Sequence, residues 1–268
     1  MEASASPVLI VGAGAMGGAL IAGWLHSGAL AATELIVRDP APGARALAAQ
    51  SSGAALNTGD ADLARARSVV LAVKPQLWRA AVQTIAPHIA PGVIVVSIVA
   101  GVTAGSIGEA FTGHKVARVM PTTAAAIGRG TASVFAADAA ARRRAHDLFE
   151  PLGDVVDLDD EDLMHAATAL SGSGPAYFYA FAEALEAAGA AAGLPASIAE
   201  RMARSTLTGA AALLASSGEP PSQLRAAVTS PGGTTQAALT VLGGNEGLGP
   251  LMQRAVAAGA ARSRQLAP

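Results

Sequence analysis

The apolar tetrapeptide Val8-Leu9-Ile10-Val11 runs straight into Gly12-Ala13-Gly14-Ala15-Met16-Gly17, and no other stretch narrows the fold as far. Four apolar residues without alternation read as a strand covered on both faces, the situation of a parallel sheet between helices. The alanine-rich segment after Gly17 reads as a helix running towards Ser27-Gly28. In this pattern the first glycine makes the tight turn, the second lets a pyrophosphate approach the backbone, and the third lets helix and strand pack closely. The helix N-terminus then faces the phosphates with unpaired N–H groups. Gly12, Ala13, Gly14, Ala15, Met16 and Gly17 are therefore expected to bind a dinucleotide.

Val8 to Leu25 carries no charge and has the length of a membrane span. It follows Glu2 instead of a basic segment, however, and Gly12, Gly14, Gly17, Gly18 and Gly23 punctuate it, which suits strand, turn and helix better. With 51 % hydrophobic and 14 % charged residues, the 268-residue chain can bury a generous core and fill two domains. A net charge of −2 without runs of like charge gives no footprint for nucleic acid or acidic membranes. The absence of cysteine removes disulfides, thiol nucleophiles and thiolate-bound metals, and suits a reducing compartment. The histidines are scattered without ligand spacing, so no metal is expected. The chain reads as a soluble, cytoplasmic protein.

A second strand, Glu34–Val37, ends in Arg38-Asp39-Pro40. An acid at this tip takes the ribose hydroxyls of NAD, whereas an arginine accommodates the extra phosphate of NADP. Arg38, with Arg45 close behind, tilts the reading to NADPH, and Asp39 keeps NADH open. Further strands are expected at Ala54–Leu56, Val69–Val73, Val93–Ile98, Val116–Met120, Ala132–Phe135 and Asp154–Leu158. Helices fall between them, at Asp60–Ala66, Leu77–Ile89, after Ala100–Thr103 and at Ala139–Glu150. Such alternation specifies an α/β fold, a Rossmann-type doubly wound sheet with ligands at the carboxyl ends of its strands. Those ends are Gly12–Gly17, Arg38, Lys74-Pro75, Ile98–Gly101 and Pro121–Thr123.

The acidic cluster Asp157–Asp162 closes the pattern, and a dinucleotide-binding domain of residues 1–158 is expected. Residues 159–268 read as a smaller all-helical dimerisation and substrate domain. Leu163–Leu170 leads to a break at Ser171–Pro175, with long helices at Ala176–Ala192, Ile198–Ser216 and Leu248–Gln265 and a loop at Ser217–Pro221. Phe178, Phe181, Leu185 and Ala188 are spaced for one buried face. So small an alanine-rich domain needs something to pack on, and an intertwined homodimer is expected.

Near its end the chain reads Ser230-Pro231-Gly232-Gly233-Thr234-Thr235-Gln236. Pro231 sets a corner, the glycines relax the backbone, and the threonines open a helix. The product is a helix N-terminus suited to a carboxylate; the plain alternative is an ordinary helix–turn–helix corner. The sequence shows no Walker motif and no Ser/His/Asp grouping in a plausible context, which leaves hydride transfer from a nicotinamide to a carbon needing little acid–base help, such as an iminium.

The chain resembles the pyrroline-5-carboxylate reductase family nearly end to end. The likeness lies in Val11–Gly17, Leu71-Ala-Val-Lys-Pro75, Val96–Thr103, Arg118-Val-Met-Pro121, Leu170-Ser-Gly-Ser-Gly-Pro-Ala-Tyr177 and Val228-Thr-Ser-Pro-Gly-Gly-Thr-Thr235. The resemblance implies reduction of L-1-pyrroline-5-carboxylate to L-proline, the last step of proline biosynthesis, with NADPH or NADH as donor. It implies that Gly12–Gly17, Asn57, Ala72, Val73, Lys74, Pro75, Ile98, Val99 and Ala100 line the cofactor. Thr235 matches the active-site threonine whose hydroxyl reaches the ring nitrogen, the Gly232, Gly233 and Thr234 backbone would hold the substrate carboxylate, and Glu161 matches a position near bound proline. The family's sites lie between the dinucleotide domain of one subunit and the helical domain of its partner, and its dimers often assemble further, commonly into decamers.

Three positions depart from the family's pattern. Thr122 and Ala124 replace an Asn-Thr-Pro run after Met-Pro, Ala227 stands where many relatives are polar, and Arg38-Asp39 replaces the usual second-strand tip. A related reductase of another imine or a β-hydroxy acid, or a dinucleotide-binding protein without turnover, stays open beside the main reading. Lys74 as a solvated strand end, Thr235 as a plain helix cap and Ser171 and Ser173 as turn residues are the ordinary alternatives. Tyr177 and Tyr179 are expected to pack and not to catalyse.

Overall fold

The computed structural model describes residues 5–266; residues 1–4, Glu2 among them, and 267–268, the outer edges of the two expected domains, lie outside the described residues. The chain divides into two compact units, Met1–Gly172 with Gly259–Pro268, and Ser173–Ala258.

The first unit runs β1 (Val8–Val11), α1 (Ala15–Ser27), β2 (Leu35–Arg38), α2 (Ala44–Ser51), β3 (Ala55–Leu56), α3 (Asp60–Leu63), β4 (Ser68–Leu71), α4 (Trp78–Ile85), β5 (Ile94–Ser97), α5 (Ala104–Ala110), β6 (Val116–Pro121), β7 (Gly130–Phe135), α6 (Ala139–Phe149), β8 (Gly153–Asp157) and α7 (Leu163–Ala167). The strands form one sheet in the order β3-β2-β1-β4-β5-β6-β7-β8. Neighbours are parallel except β6 and β7, which pair Arg118 with Phe135 in antiparallel register. The 122–129 connection is too short for the crossover that a parallel partner needs, so β7 turns back directly. The strand order reverses between β1 and β4, the switch point where ligands of such sheets bind.

Each central strand feeds two cores. Val8 and Ile10 pack on one face with Trp24 and Val70, whereas Leu9 and Val11 pack on the other with Leu71, Trp78 and Val95. That is why the strands read as unbroken apolar runs. Trp24 locks α1 to the end of α6 by donating its indole N–H to the Leu148 carbonyl at 2.6 Å. Two predicted helices are shorter than expected: α3 stops at Leu63, and α4 gives way to a 3-10 turn over Ala86–His88. Pro87 in that turn has no N–H with which to continue the α-helical ladder. The sheet ends at Asp157, but the compact unit runs on to Gly172 because Met164 and Ala169 are buried and Glu161 bonds back to the sheet domain.

The second unit is helical. After a π-helical turn over Thr168–Gly172 come α8 (Gly174–Ala191), α9 (Ala196–Ser217), α10 (Pro221–Ala227), α11 (Thr234–Leu242) and α12 (Leu248–Leu266), whose last turns from Gly259 belong to the first unit. Helix α10 is missing from the sequence reading; it starts at Pro221, the first helical position that proline favours. The face of Phe178, Phe181, Leu185 and Ala188 is not buried within the chain: all four are exposed. Helix α8 instead meets α9 through small residues, so that a Cβ on Gly189 would stand 3.3 Å from that of Ala199. No helix among the described residues is long and apolar enough to cross a membrane.

Candidate functional site

The glycine turn sits where β1 hands over to α1. Gly12 adopts φ +95°, a conformation that L side chains rarely take, and a Cβ there would lie 2.6 Å from the Ala72 carbonyl oxygen. A Cβ on Gly17 would lie 2.0 Å from the Gly12 oxygen, so both positions must be bare for β1, β4 and α1 to meet. Gly14 is different: nothing stands within 4 Å of a Cβ built on it. It caps α1 with no side-chain hydrogen bond, and the helical ladder begins only with Gly18 N–H to Gly14 O. Helix geometry therefore leaves the N–H groups of Ala15, Met16 and Gly17 facing this open space. Open approach and unpaired donors fit a pyrophosphate.

Beside the turn, the tip of β2 is tied down on both sides. The Asp39 carboxylate accepts from Ala13 N–H at 2.5 Å and from Ala41 N–H at 2.8 Å. Asn57, itself at φ 51°, accepts from Asp39 N–H and donates to Asp39 O. Arg38 instead reaches Asp60, at 3.6 Å. Arg45 lays its stem over Gly18 on α1, Cδ 3.4 Å from the position of a Cβ there.

The ends of β4 and β5 complete this edge. Ala72 N–H donates to Val11 O and Ile98 N–H to Leu71 O, which places Ala72–Pro75 and Ile98–Ala100 beside the glycine turn. Lys74 is exposed and makes no ion pair among the described residues, and its carbonyl accepts from Leu77 N–H in a turn around Pro75. Ile98 and Val99 are buried, and Ala100 is half-buried. All the residues expected to line a cofactor thus lie at the carboxyl edge of one sheet, around its switch point.

Thr122 is buried at the end of β6, where its hydroxyl accepts from Thr131 N–H at 3.0 Å and holds the β6–β7 turn. Glu161 has a heavier commitment: its Oε1 accepts from Ala104 N–H at 2.7 Å and pairs with Arg118 at 3.1 Å. Arg118, 2 % exposed, keeps Nε and one terminal nitrogen buried without a hydrogen-bond partner among the described residues. The sequence reading assigns Arg118 no role, though an arginine inside the apolar run Val116–Met120 is the signal that finds it. Nearby, burial first and then the Arg118 charge hold the His165 imidazole below its usual pKa, and His165 meets the Ser263 hydroxyl at 2.9 Å. Among the described residues, no group of three or more acidic, histidine or cysteine side chains is placed to hold a metal.

In the second unit the Pro231 corner forms as a helix start. Gly232 takes φ +70°, Gly233 precedes the helix, and Thr234 is the first residue of α11. Two of the expected carboxylate donors are already engaged: Gly232 N–H donates to the Gln236 side chain at 2.6 Å, and Gly233 N–H to Ser230 O at 3.0 Å. The amides that helix geometry leaves unpaired are those of Thr234, Thr235 and Gln236, since the ladder begins with Ala237 N–H to Gly233 O. Ala227 is exposed at the end of α10. Ser171 donates back to Ala167 O within the π-helical turn. The cofactor residues and Glu161 belong to the first unit; Gly232, Gly233, Thr234 and Thr235 belong to the second.

The fold and its glycine turn define the class: a Rossmann-type oxidoreductase sheet followed by a helical unit. A family model described as NADP oxidoreductase, coenzyme F420-dependent, matches residues 7–101, and one described as pyrroline-5-carboxylate reductase dimerisation matches residues 161–266. A pyrroline-5-carboxylate reductase from Pseudomonas aeruginosa is 38 % identical, with 97 % of this chain and 96 % of that protein covered. The solved structure of a pyrroline-5-carboxylate reductase from Coxiella burnetii matches with a TM-score of 0.89 at 28 % identity, over 99 % of this chain and 100 % of that one. The Plasmodium falciparum pyrroline carboxylate reductase, crystallised with NADP bound, matches with a TM-score of 0.83 at 25 % identity, over 98 % of each chain. The chain belongs to the pyrroline-5-carboxylate reductase family.

Proposed function

We propose that this protein reduces L-1-pyrroline-5-carboxylate to L-proline, the last step of proline biosynthesis, with NADPH as donor and NADH admitted as well. The observation that carries the reading is the likeness to a reductase of this name over 97 % of the chain, sheet and helical units alike. A bound reduced nicotinamide supplies the hydride that the imine carbon accepts. The chain's own part is to bind and orient. The bare turn at Gly12–Gly17 receives the phosphates on the amides of Ala15–Gly17, and the edge formed by Ala72–Pro75 and Ile98–Ala100 seats the rest of the dinucleotide. The substrate carboxylate is received at the head of α11, on the amides of Thr234–Gln236, and a carboxylate displacing the Gln236 side chain also gains Gly232 N–H. The Thr235 hydroxyl steadies the ring nitrogen as its bond order to carbon falls.

The uncovered apolar face of Phe178, Phe181 and Leu185 supports a homodimer, the family's assembly unit, with larger assemblies such as a decamer built from it. The cysteine-free composition suits a cytoplasmic location. The test is oxidation of NADPH on addition of pyrroline-5-carboxylate with proline as product, run against a panel of other imines and β-hydroxy acids. Thr235→Ala should lower kcat about 10- to 100-fold, the loss of one oriented hydrogen bond in the transition state. An unchanged kcat removes the threonine from the mechanism, and faster turnover of a hydroxy acid reassigns the substrate.

A further inference from the structure

The turn that leads from β5 into α5 is tied from behind by one buried ion pair. It starts at Ile98, whose N–H donates to Leu71 O, and passes Gly101 at φ +76°. It ends at Thr103, which caps α5 by accepting from Ser106 N–H. That cap leaves the first helical amide, Ala104 N–H, without an intrahelical partner. Glu161 Oε1 accepts from it at 2.7 Å, from 57 positions away, and the same oxygen pairs with Arg118 at 3.1 Å. Ala117 and Val119 pack into the core around Trp24, so alternation along β6 turns Arg118 to the opposite face, the one that holds Val99, Val102 and Ile107. Arg118 is 2 % exposed there, and among the described residues Glu161 is its only carboxylate partner. A buried guanidinium holds its carboxylate close, because separation would strand a charge in the protein interior. A carboxylate fixed in this way is a firm acceptor for Ala104 N–H, since a hydrogen bond to an ionised group is stronger than a neutral one.

We infer that Arg118 is a positioning residue for the hydride transfer: through Glu161 it fixes Ala104, and with Ala104 the rear of the Ile98–Thr103 turn. Arg118 touches neither coenzyme nor substrate in this role. The inference rests on the dinucleotide reading above, in which that turn seats the nicotinamide half, and deepens it. The adenosine half binds at the other end of the edge, by the Gly12–Gly17 turn and β2, which the Arg118–Glu161 strap does not reach. Cutting the strap therefore loosens the nicotinamide half and leaves the adenosine half as it was.

The experiment cuts the strap while both ions stay in place. Ala104→Pro removes the N–H that Glu161 accepts, at the first helical position that proline favours. Thr103, at φ −74° and ψ 156°, already has the extended backbone of a residue before proline. Calorimetry on the full-length protein gives dissociation constants for NADPH and for 2′,5′-ADP, which carries the adenosine half alone. Turnover of pyrroline-5-carboxylate gives kcat, and hydrogen exchange reports on residues 98–103. Ala104→Pro should weaken NADPH about tenfold and lower kcat about tenfold or more, with 2′,5′-ADP within about twofold of wild type and faster exchange in the turn. Arg118→Met frees Glu161 to turn to water and should shift NADPH binding and kcat the same way, by about threefold or more. Arg118 meets Glu161 through one nitrogen, so Arg118→Lys should keep both within about twofold of wild type. Thermal melts confirm which variants are folded, and Ala104→Pro decides alone where Arg118→Met is not. NADPH binding and kcat within about twofold of wild type in the folded variants overturn the inference and leave the pair a stabilising contact only. An equal loss for NADPH and 2′,5′-ADP overturns it as well. A wild-type protein that binds neither ligand overturns the dinucleotide reading beneath it.

Discussion

Replacing Glu161 by alanine tests how the first unit is held beyond its sheet. The substitution strands Arg118, 98 % buried, without its counter-ion and removes the acceptor of Ala104 N–H. Breaking one side of a buried pair costs about 3–5 kcal/mol. The Glu161 side chain is itself 23 % exposed, so water still reaches that end of the pair and the low figure, about 3 kcal/mol, applies. The lost bond to Ala104 adds about 1 kcal/mol. A total of about 4 kcal/mol lowers the midpoint of a unit this size by about 8–16 °C. Adding Arg118→Met removes the stranded charge, and the double variant should regain about 2 kcal/mol, leaving it more stable than Glu161→Ala alone. Thermal melts followed by circular dichroism, with urea titrations for the free energies, read both effects. A loss below about 1 kcal/mol in Glu161→Ala, or a double variant as unstable as the single, refutes the reasoning. The same series bears on the substrate role that the family resemblance implies for Glu161. A residue that only holds Arg118 and Ala104 leaves KM for the imine unchanged in Glu161→Gln, whereas a substrate contact raises it.

Two other changes probe the glycine turn and the outer face of the sheet unit. Gly14→Ala should melt within about 2 °C of wild type, because a Cβ there meets nothing, yet weaken NADPH binding about tenfold or more by entering the space the phosphates need; Gly17→Ala should fail to fold normally, since its Cβ would stand 2.0 Å from the Gly12 oxygen. Fluorescence titration with NADPH and a thermal melt distinguish the two, and equal behaviour contradicts the division of labour. His146 bonds Glu150 at 2.7 Å and Asp157 at 3.1 Å, and those carboxylates, Glu150 foremost, hold its pKa above the usual histidine value. The folded state therefore binds the proton more tightly than the unfolded chain, so the stabilisation is complete below about pH 6.5 and fades as pH rises through the higher folded value. The midpoint difference between wild type and His146→Gln should be about 1–3 °C at pH 6 and shrink towards pH 8.5; a difference constant with pH would mean the imidazole is not held as a cation.

The sequence by itself determined the sheet's strands and the character of its first turn. Val8–Val11 must be covered on both faces, as must the first three residues of the expected run Val69–Val73, and only glycine fits where β1, β4 and α1 converge. Those are local demands, so they are written in consecutive residues. Tertiary structure decided what depends on partners distant in sequence. It turned β7 antiparallel, because the short link after Pro121 cannot cross over. It left Phe178, Phe181 and Leu185 in the open, because small residues claim the α8–α9 contact and periodicity says that a face is apolar without saying what covers it. It joined Arg118 to Glu161 across 43 positions, sent Asp39 to Ala13 and Arg38 to Asp60, and gave Gly232 to Gln236. A side chain's type fixes what it can bond, and only the folded backbone fixes which bond lies within reach.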